Sequence, residues 1–341
     1  MKFLFVGAGA VGTYVGGSLA AAGHDVSFVE RARTAVLIQQ SGLRLHMDGD
    51  TRLVRDVRVY TTAREALAAG PHDVTVLALK SFETDAVMAD LKECAGPAPL
   101  PPVLSLQNGV DNEAAIARHV GEAGVIAGTL TSAIGKPAVG EVIEERRRGV
   151  GIAAGHPLAP RVAEALNDAR LGARVFPEAA PMKWSKMLTN LIGNATSAIL
   201  DMPVGALFAD DRLYDVEMAV LRECVAVMRG LGLRPVDLPG TPVRALAFGV
   251  ERVPRFVAKP ILQRTLGSAR GHKMPSFHID LQAGRRTEVA WLNGAVARHG
   301  ASCGVAAPVN RVLTDTLEGL TSGAIEREQF RRRPEALLAL L

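Results

Sequence analysis

The sequence predicts an α/β protein: an N-terminal Rossmann doubly wound sheet followed by an all-helical C-terminal domain. Three observations predict it. Short aliphatic runs alternate with helical stretches through the first half, a Gly7-x-Gly9-x-x-Gly12 turn follows the first run, and from residue 182 onward the apolar spacing becomes helical.

The runs at 2–6, 26–30, 74–79, 103–106 and 125–130 are almost continuously apolar, the pattern of parallel strands covered on both faces. Passage 141–154 alternates charges with Val, Ile and Gly and is expected to extend this sheet in the antiparallel sense. A helix at 159–169 and a strand at 173–176 complete the first half, where Pro177 and Pro181 mark a junction. Helices are expected at 182–200, 211–231, 242–266, 288–299 and 309–323, separated by Gly and Pro signals. No internal repeat or low-complexity tract interrupts them.

Composition narrows the function classes. The 341 residues are 48% hydrophobic and 22% charged, a globular balance with enough chain for two cores. The net charge is only +4, and the arginine clusters at 146–148 and 331–333 have no aromatic interleaving beyond Phe330, so they read as solvated faces and no nucleic-acid partner is expected. Cys94, Cys224 and Cys303 are too few and scattered for a disulfide framework or a four-ligand zinc site, so no metal is expected and a reducing compartment is. Stretch 3–23 is uncharged but carries six glycines, which argues against a membrane span. A soluble cytoplasmic protein with no membrane partner is the expectation.

In the glycine turn, the first Gly permits the tight turn, the second lets backbone approach a pyrophosphate, and the third lets helix and strand pack closely. Helix N–H groups starting near Ala10 would then meet the phosphates. Residues 1–178 are therefore assigned as a dinucleotide-binding domain and 179–341 as a helical substrate domain. A glycine-rich packing site without ligand is the bland alternative. The second strand ends at Glu30, 18 residues past Gly12, where an acid favours NAD; Arg31 and Arg33 favour NADP through a 2′-phosphate.

In the second half Lys186, Asn190 and Asn194 are spaced four apart, so one face of one helix projects an amine and two amides, while Leu188, Leu191, Ile192 and Ile199 supply its packing. Arg286-Thr287-Glu288 is expected to begin a helix in capping geometry, with the polar set Ser276, His278 and Asp280 just before it.

These residues resemble the ketopantoate reductase (2-dehydropantoate 2-reductase) family, within the 6-phosphogluconate dehydrogenase-like group of two-domain dehydrogenases. The likeness runs through most of the chain. It is carried by the Gly7-Ala8-Gly9-Ala10-Val11-Gly12 turn, Arg31, Lys80 in Leu79-Lys80-Ser81, Gln107-Asn108-Gly109, Trp184-x-Lys186-x-x-x-Asn190-x-x-x-Asn194, and Ser276 with Glu288 twelve residues later. The resemblance implies NAD(P)H-dependent reduction of a 2-oxo acid, ketopantoate to pantoate being the best single choice, a step of pantothenate biosynthesis. It makes Lys186 the general acid and gives Glu288 a hydrogen bond to the substrate hydroxyl. Asn190 and Asn194 orient the substrate, Ser276 holds its carboxylate, and Asn108 and Lys80 lie where cofactor and substrate meet. The turn residues, Arg31, Lys80 and Asn108 are the implied cofactor contacts, with NADP as cofactor and NAD admitted by Glu30. A homodimer is a further family-level expectation.

The chemistry agrees with those roles. Hydride addition to a ketone builds negative charge on oxygen, and an ammonium, protonated at neutral pH, stabilises that charge and supplies the proton. From spacing alone Lys186 is a surface lysine on an amphipathic helix, and Glu288 an acid complementing a helix dipole. Segment 195–204 lacks the further asparagine common in pantoate-forming relatives, and segment 252–273 is longer than a minimal member needs. A related dehydrogenase or imine reductase acting on another keto acid, hydroxy acid or imine is the alternative, with a non-catalytic cofactor sensor after it.

Overall fold

The computed structural model describes residues 1–270 and 274–341; residues 271–273, the end of the long Arg- and Lys-rich segment at 252–273, lie outside the described residues. The chain divides into two compact units, Met1–Lys183 with Leu238–Thr241, and Trp184–Asp237 with Pro242–Leu341. The expected boundary at 178/179 falls just before the helix within which the units divide.

In the first unit the strands are β1 (Lys2–Val6), β2 (Asp25–Val29), β3 (Leu43–Met47), β4 (Asp50–Val54), β5 (Arg58–Tyr60), β6 (Val74–Leu77), β7 (Val103–Ser105), β8 (Val125–Leu130), β9 (Ala133–Ala138), β10 (Glu141–Arg146), β11 (Val150–Ala153) and β12 (Ala173–Phe176). Between them run α1 (Ala10–Ala21), α2 (Ala32–Ser41), α3 (Ala63–Ala68), α4 (Thr84–Ala95), α5 (Asn112–Val120) and α6 (Ala159–Asp168). Eight strands form one sheet in the order β12-β11-β8-β7-β6-β1-β2-β5, parallel except for the antiparallel pair β8–β11. The order reverses direction at β1, which creates the crevice at the strands' carboxyl ends where open α/β sheets bind ligands.

The expected antiparallel extension at 141–154 is only half correct. Strand β11 joins the main sheet, but β10 belongs to a second sheet, β4-β3-β10-β9, that periodicity did not suggest. Its β3–β4 hairpin turns on Asp48-Gly49, both at positive φ (55° and 75°), the Asp-Gly signature of a two-residue hairpin turn. The two sheets enclose α1. A Cβ at Gly16 would lie 2.6 Å from Phe28, and one at Gly17 2.9 Å from Leu45, so this helix is glycine-rich because side chains from both sheets press on it. Buried Tyr14 donates to the Glu144 carboxylate, which Arg147 also holds at 2.9 Å; burial and that carboxylate push the phenol's pKa up.

The second unit is helical. It contains α7 (Ala179–Leu191, which begins in the first unit), α8 (Asn194–Leu200), α9 (Val204–Ala209), α10 (Asp211–Gly230), α11 (Val243–Arg252), α12 (Arg255–Arg270), α13 (Ser276–Gln282), α14 (Asn293–Ser302), α15 (Pro308–Ser322) and α16 (Pro334–Leu338). Asp210 caps α10 by accepting from the Arg212 and Leu213 amides at 2.8 and 3.1 Å. From α10, Glu223 accepts the Val309 and Asn310 amides at 2.9 Å each, so a carboxylate closes the start of α15.

Three helix expectations are corrected. The stretch 182–200 is two helices broken at Gly193. The stretch 242–266 is also two, because Pro254 follows Val253 and removes an amide the helix would need. In place of a capped helix from 288, Glu288 precedes a 3-10 turn, Val289–Trp291, without a side-chain cap, and Leu292 (φ −109°, ψ −87°) redirects the chain into α14. Among the described residues, no helix is long and apolar enough to cross a membrane.

Candidate active site

The glycine turn occupies the crevice beside β1. Gly7 has φ 98°, open to glycine at no cost, and a Cβ at Gly12 would stand 1.9 Å from the Gly7 carbonyl oxygen, so any side chain there would push α1 off the strand. Gly9 caps α1 without a side chain and the first helical turn has no acid, which leaves a positive helix start beside a backbone cradle. This cradle suits a dinucleotide pyrophosphate.

The turn is held by groups that the sequence reading did not connect to it. The Ala8 amide donates to Glu30 Oε1 at 2.8 Å, and Arg31 N donates to Glu30 Oε2 at 2.9 Å, so the strand-end acid folds back onto the turn. The Ala8 carbonyl accepts from Thr13 Oγ1 at 3.0 Å and Lys136 Nζ at 3.2 Å. Arg31 and Arg33 are exposed.

Lys80 and Asn108 leave the carboxyl ends of adjacent strands, β6 and β7, and a buried polar web joins their loops. Ser81 Oγ and Asn112 Nδ2 both donate to the Asn108 carbonyl, at 2.8 and 2.6 Å, and Gln107 Nε2 donates to Thr84 Oγ1 at 2.8 Å. Beneath them lies Lys183, whose side chain is 4% exposed. Its ammonium donates to the Gln107 carbonyl at 2.8 Å and the Gly128 carbonyl at 3.2 Å, and pairs with Glu113 at 2.8 Å. A lysine adjoining Trp184 carries no periodic signal that would have marked it.

In the second unit, Lys186 and Asn190 lie one turn apart on α7. Asn194 does not continue that helix, a correction to the single-face reading. Gly193 is left-handed (φ 63°), its amide donates to Glu217 Oε2 at 2.7 Å, and a Cβ there would lie 2.8 Å from Val204. Asn194 therefore starts α8 but still turns toward Asn190: its Nδ2 donates to the Asn190 carbonyl at 3.2 Å. The same side chain accepts from the Phe277 amide at 3.1 Å and reaches Ser276 Oγ at 3.5 Å. Asn190, Asn194 and Ser276 are thus brought together, while Glu288, 4% exposed, stands immediately before the 3-10 turn that leads to α14.

His278 and Asp280 are placed on α13 and serve its anchoring. His278 pairs with Asp201 at 2.6 Å and Asp280 with Arg285 at 2.9 Å. Burial pushes the Asp201 carboxyl up, but hydrogen bonds from His278 and Arg331 outweigh it and hold the group below its ordinary range. No group of three or more His, Cys, Asp or Glu among the described residues could hold a metal ion.

Comparison with known proteins follows the same outline. A family model described as ketopantoate reductase PanE/ApbA matches residues 3–154, and its C-terminal counterpart matches 178–321. The 2-dehydropantoate 2-reductase of Archaeoglobus fulgidus is 30% identical over 322 residues, 93% of this chain and 97% of its own. That of Pyrococcus horikoshii is 29% identical over 320 residues, 92% and 95% of the two chains. Among solved structures, a PanE/ApbA family ketopantoate reductase from Ralstonia eutropha has a TM-score of 0.79 at 28% identity, covering 95% of this chain and 99% of that one. A D-mandelate dehydrogenase solved with NADH and anilino(oxo)acetate has a TM-score of 0.76 at 20% identity, covering 95% and 99%, a likeness of fold.

Proposed function

We propose, from the premise that this chain belongs to the ketopantoate reductase family, that it reduces a 2-oxo acid to the 2-hydroxy acid, with ketopantoate the first substrate to try and NADPH the preferred reductant. The observation that carries this reading is the gathering of Asn194 and Ser276 about Asn190, which itself lies one helical turn beyond Lys186. An amine and several neutral hydrogen-bonding groups suit an acid substrate whose carbonyl oxygen becomes an alkoxide.

In this reading residues 1–178 hold the dinucleotide and 179–341 the substrate. The bound dinucleotide supplies a hydride to the carbonyl carbon. Lys186 donates the proton to the carbonyl oxygen, Glu288 accepts from the resulting hydroxyl, Ser276 hydrogen-bonds the carboxylate, and Asn190 and Asn194 fix the substrate's orientation. The residues of the turn cradle the pyrophosphate, Arg31 meets a 2′-phosphate, and Lys80 and Asn108 border the reacting centre. A cytoplasmic, homodimeric enzyme is part of the proposal, in keeping with three unpaired cysteines.

A different 2-oxo acid is the second reading. It is favoured by segment 195–204, which has no further asparagine and places Val204 against Gly193. The test follows oxidation of NADPH and NADH against a panel of 2-oxo acids that includes ketopantoate. Turnover of ketopantoate above the rest supports the first reading, turnover of another acid the second, and no turnover of any ends both.

A further inference from the structure

The ammonium of Lys136 lies on the glycine turn although it belongs to neither the strand nor the helix that makes the turn. It comes from β9 in the small sheet and donates to the Ala8 carbonyl at 3.2 Å, an oxygen that already accepts from Thr13 at 3.0 Å. On the other side of the same residue, the Ala8 amide is held by Glu30 at 2.8 Å. One peptide segment of the turn is therefore flanked by a carboxylate at the end of β2 and an ammonium from β9.

The position has an electrostatic meaning. Gly9 and the acid-free first turn leave α1 with its positive pole open, and Lys136 adds a full positive charge at the same place. An anion at the turn is attracted to the helix pole and to the ammonium at once.

We propose that Lys136 is a further cofactor-binding residue, whose ammonium neutralises the pyrophosphate of the dinucleotide. The proposal rests on the reading that the glycine turn holds a reduced nicotinamide dinucleotide. Because Lys136 recognises charge common to both cofactors, it strengthens NADH and NADPH binding alike, whereas Arg31 distinguishes them.

The test uses the full-length protein, the Lys136→Ala variant and the Lys136→Arg variant. Fluorescence titration gives Kd for NADH and NADPH over a range of salt concentrations, and displacement of NADH gives Kd for ADP-ribose, which has the pyrophosphate, and for adenosine, which does not. In Lys136→Ala the Kd for both dinucleotides and ADP-ribose should rise ~10-fold, with a shallower salt dependence, while adenosine binding and the melting temperature stay put. Lys136→Arg should restore most of the affinity. Equal Kd values and salt slopes in the unaltered chain and Lys136→Ala would overturn the proposal, as would an equal loss for adenosine and ADP-ribose, since Lys136 would then only shape the turn. Absence of saturable dinucleotide binding by the unaltered chain would instead overturn the cofactor reading itself, and this proposal with it.

Discussion

The buried carboxylate of Glu217, on α10, accepts the amide of Gly193 at 2.7 Å, and this contact marks where one expected helix becomes two. The break lets Asn194 start α8 and face Ser276 and Phe277 on α13, which a continuous helix would not do. Glu217→Ala removes the acceptor and leaves a void, so it should destabilise the protein by about 2–4 kcal/mol. Glu217→Gln keeps an acceptor oxygen and should recover part of that. Urea denaturation checks both, and an unchanged midpoint in the Ala variant would remove Glu217 from this role.

Lys186→Ala should lower turnover by at least ~10²-fold, the scale of a lost general acid, with little change in cofactor affinity. Steady-state kinetics beside a fluorescence titration separates the two effects. Full turnover in the variant would exclude Lys186 from proton transfer.

Two neighbours at the end of β2 should behave differently. Arg31→Ala should weaken NADPH more than NADH, because only NADPH carries a 2′-phosphate. Glu30→Ala should weaken both by releasing the Ala8 amide that Glu30 holds. Dissociation constants for both cofactors decide it: equal losses in the Arg31 variant would show that Arg31 does not read the phosphate.

Lys183→Met should cost about 3 kcal/mol, since removing one partner of a buried ion pair strands the other, and Glu113 keeps some solvent access at 17% exposure. The double variant Lys183→Met with Glu113→Leu should be more stable than the single one. Thermal and chemical melts of the two would reverse that order if the pair contributes nothing.

The pairing of Asp201 predicts an acid limb. Its folded-state pKa is depressed, so its contribution is present at neutral pH and is lost as the pH falls through that depressed value, below the ordinary carboxylate range. Asp201→Asn should make stability less steep on the acid side of pH 4, approximately the carboxylate's usual midpoint. Urea midpoints measured from pH 6 down to pH 3, roughly the span over which carboxylates titrate, would contradict this by falling equally in both proteins.

Much of the frame was legible in sequence because its causes are local. Continuous apolar runs marked the strands of the main sheet, and strand β8 falls at the expected residues 125–130. The small sheet was not legible from periodicity, since β9 and β10 are partly exposed and irregularly paired; the Asp48-Gly49 turn was the available signal for its hairpin. The break at Gly193 was hidden because Leu and Ile on either side keep the helical spacing.

By itself the sequence determined the two-part α/β and helical plan, the glycine turn, and the one-turn spacing of Lys186 and Asn190, because residue type and spacing along one chain fix these. Only the tertiary structure decided that Glu30 and Lys136 clasp Ala8, that Lys183 supports Gln107, and that Glu217 splits a helix. Those contacts join residues far apart in the chain, and a buried polar group finds its partner through packing in three dimensions, where spacing along the chain carries no information.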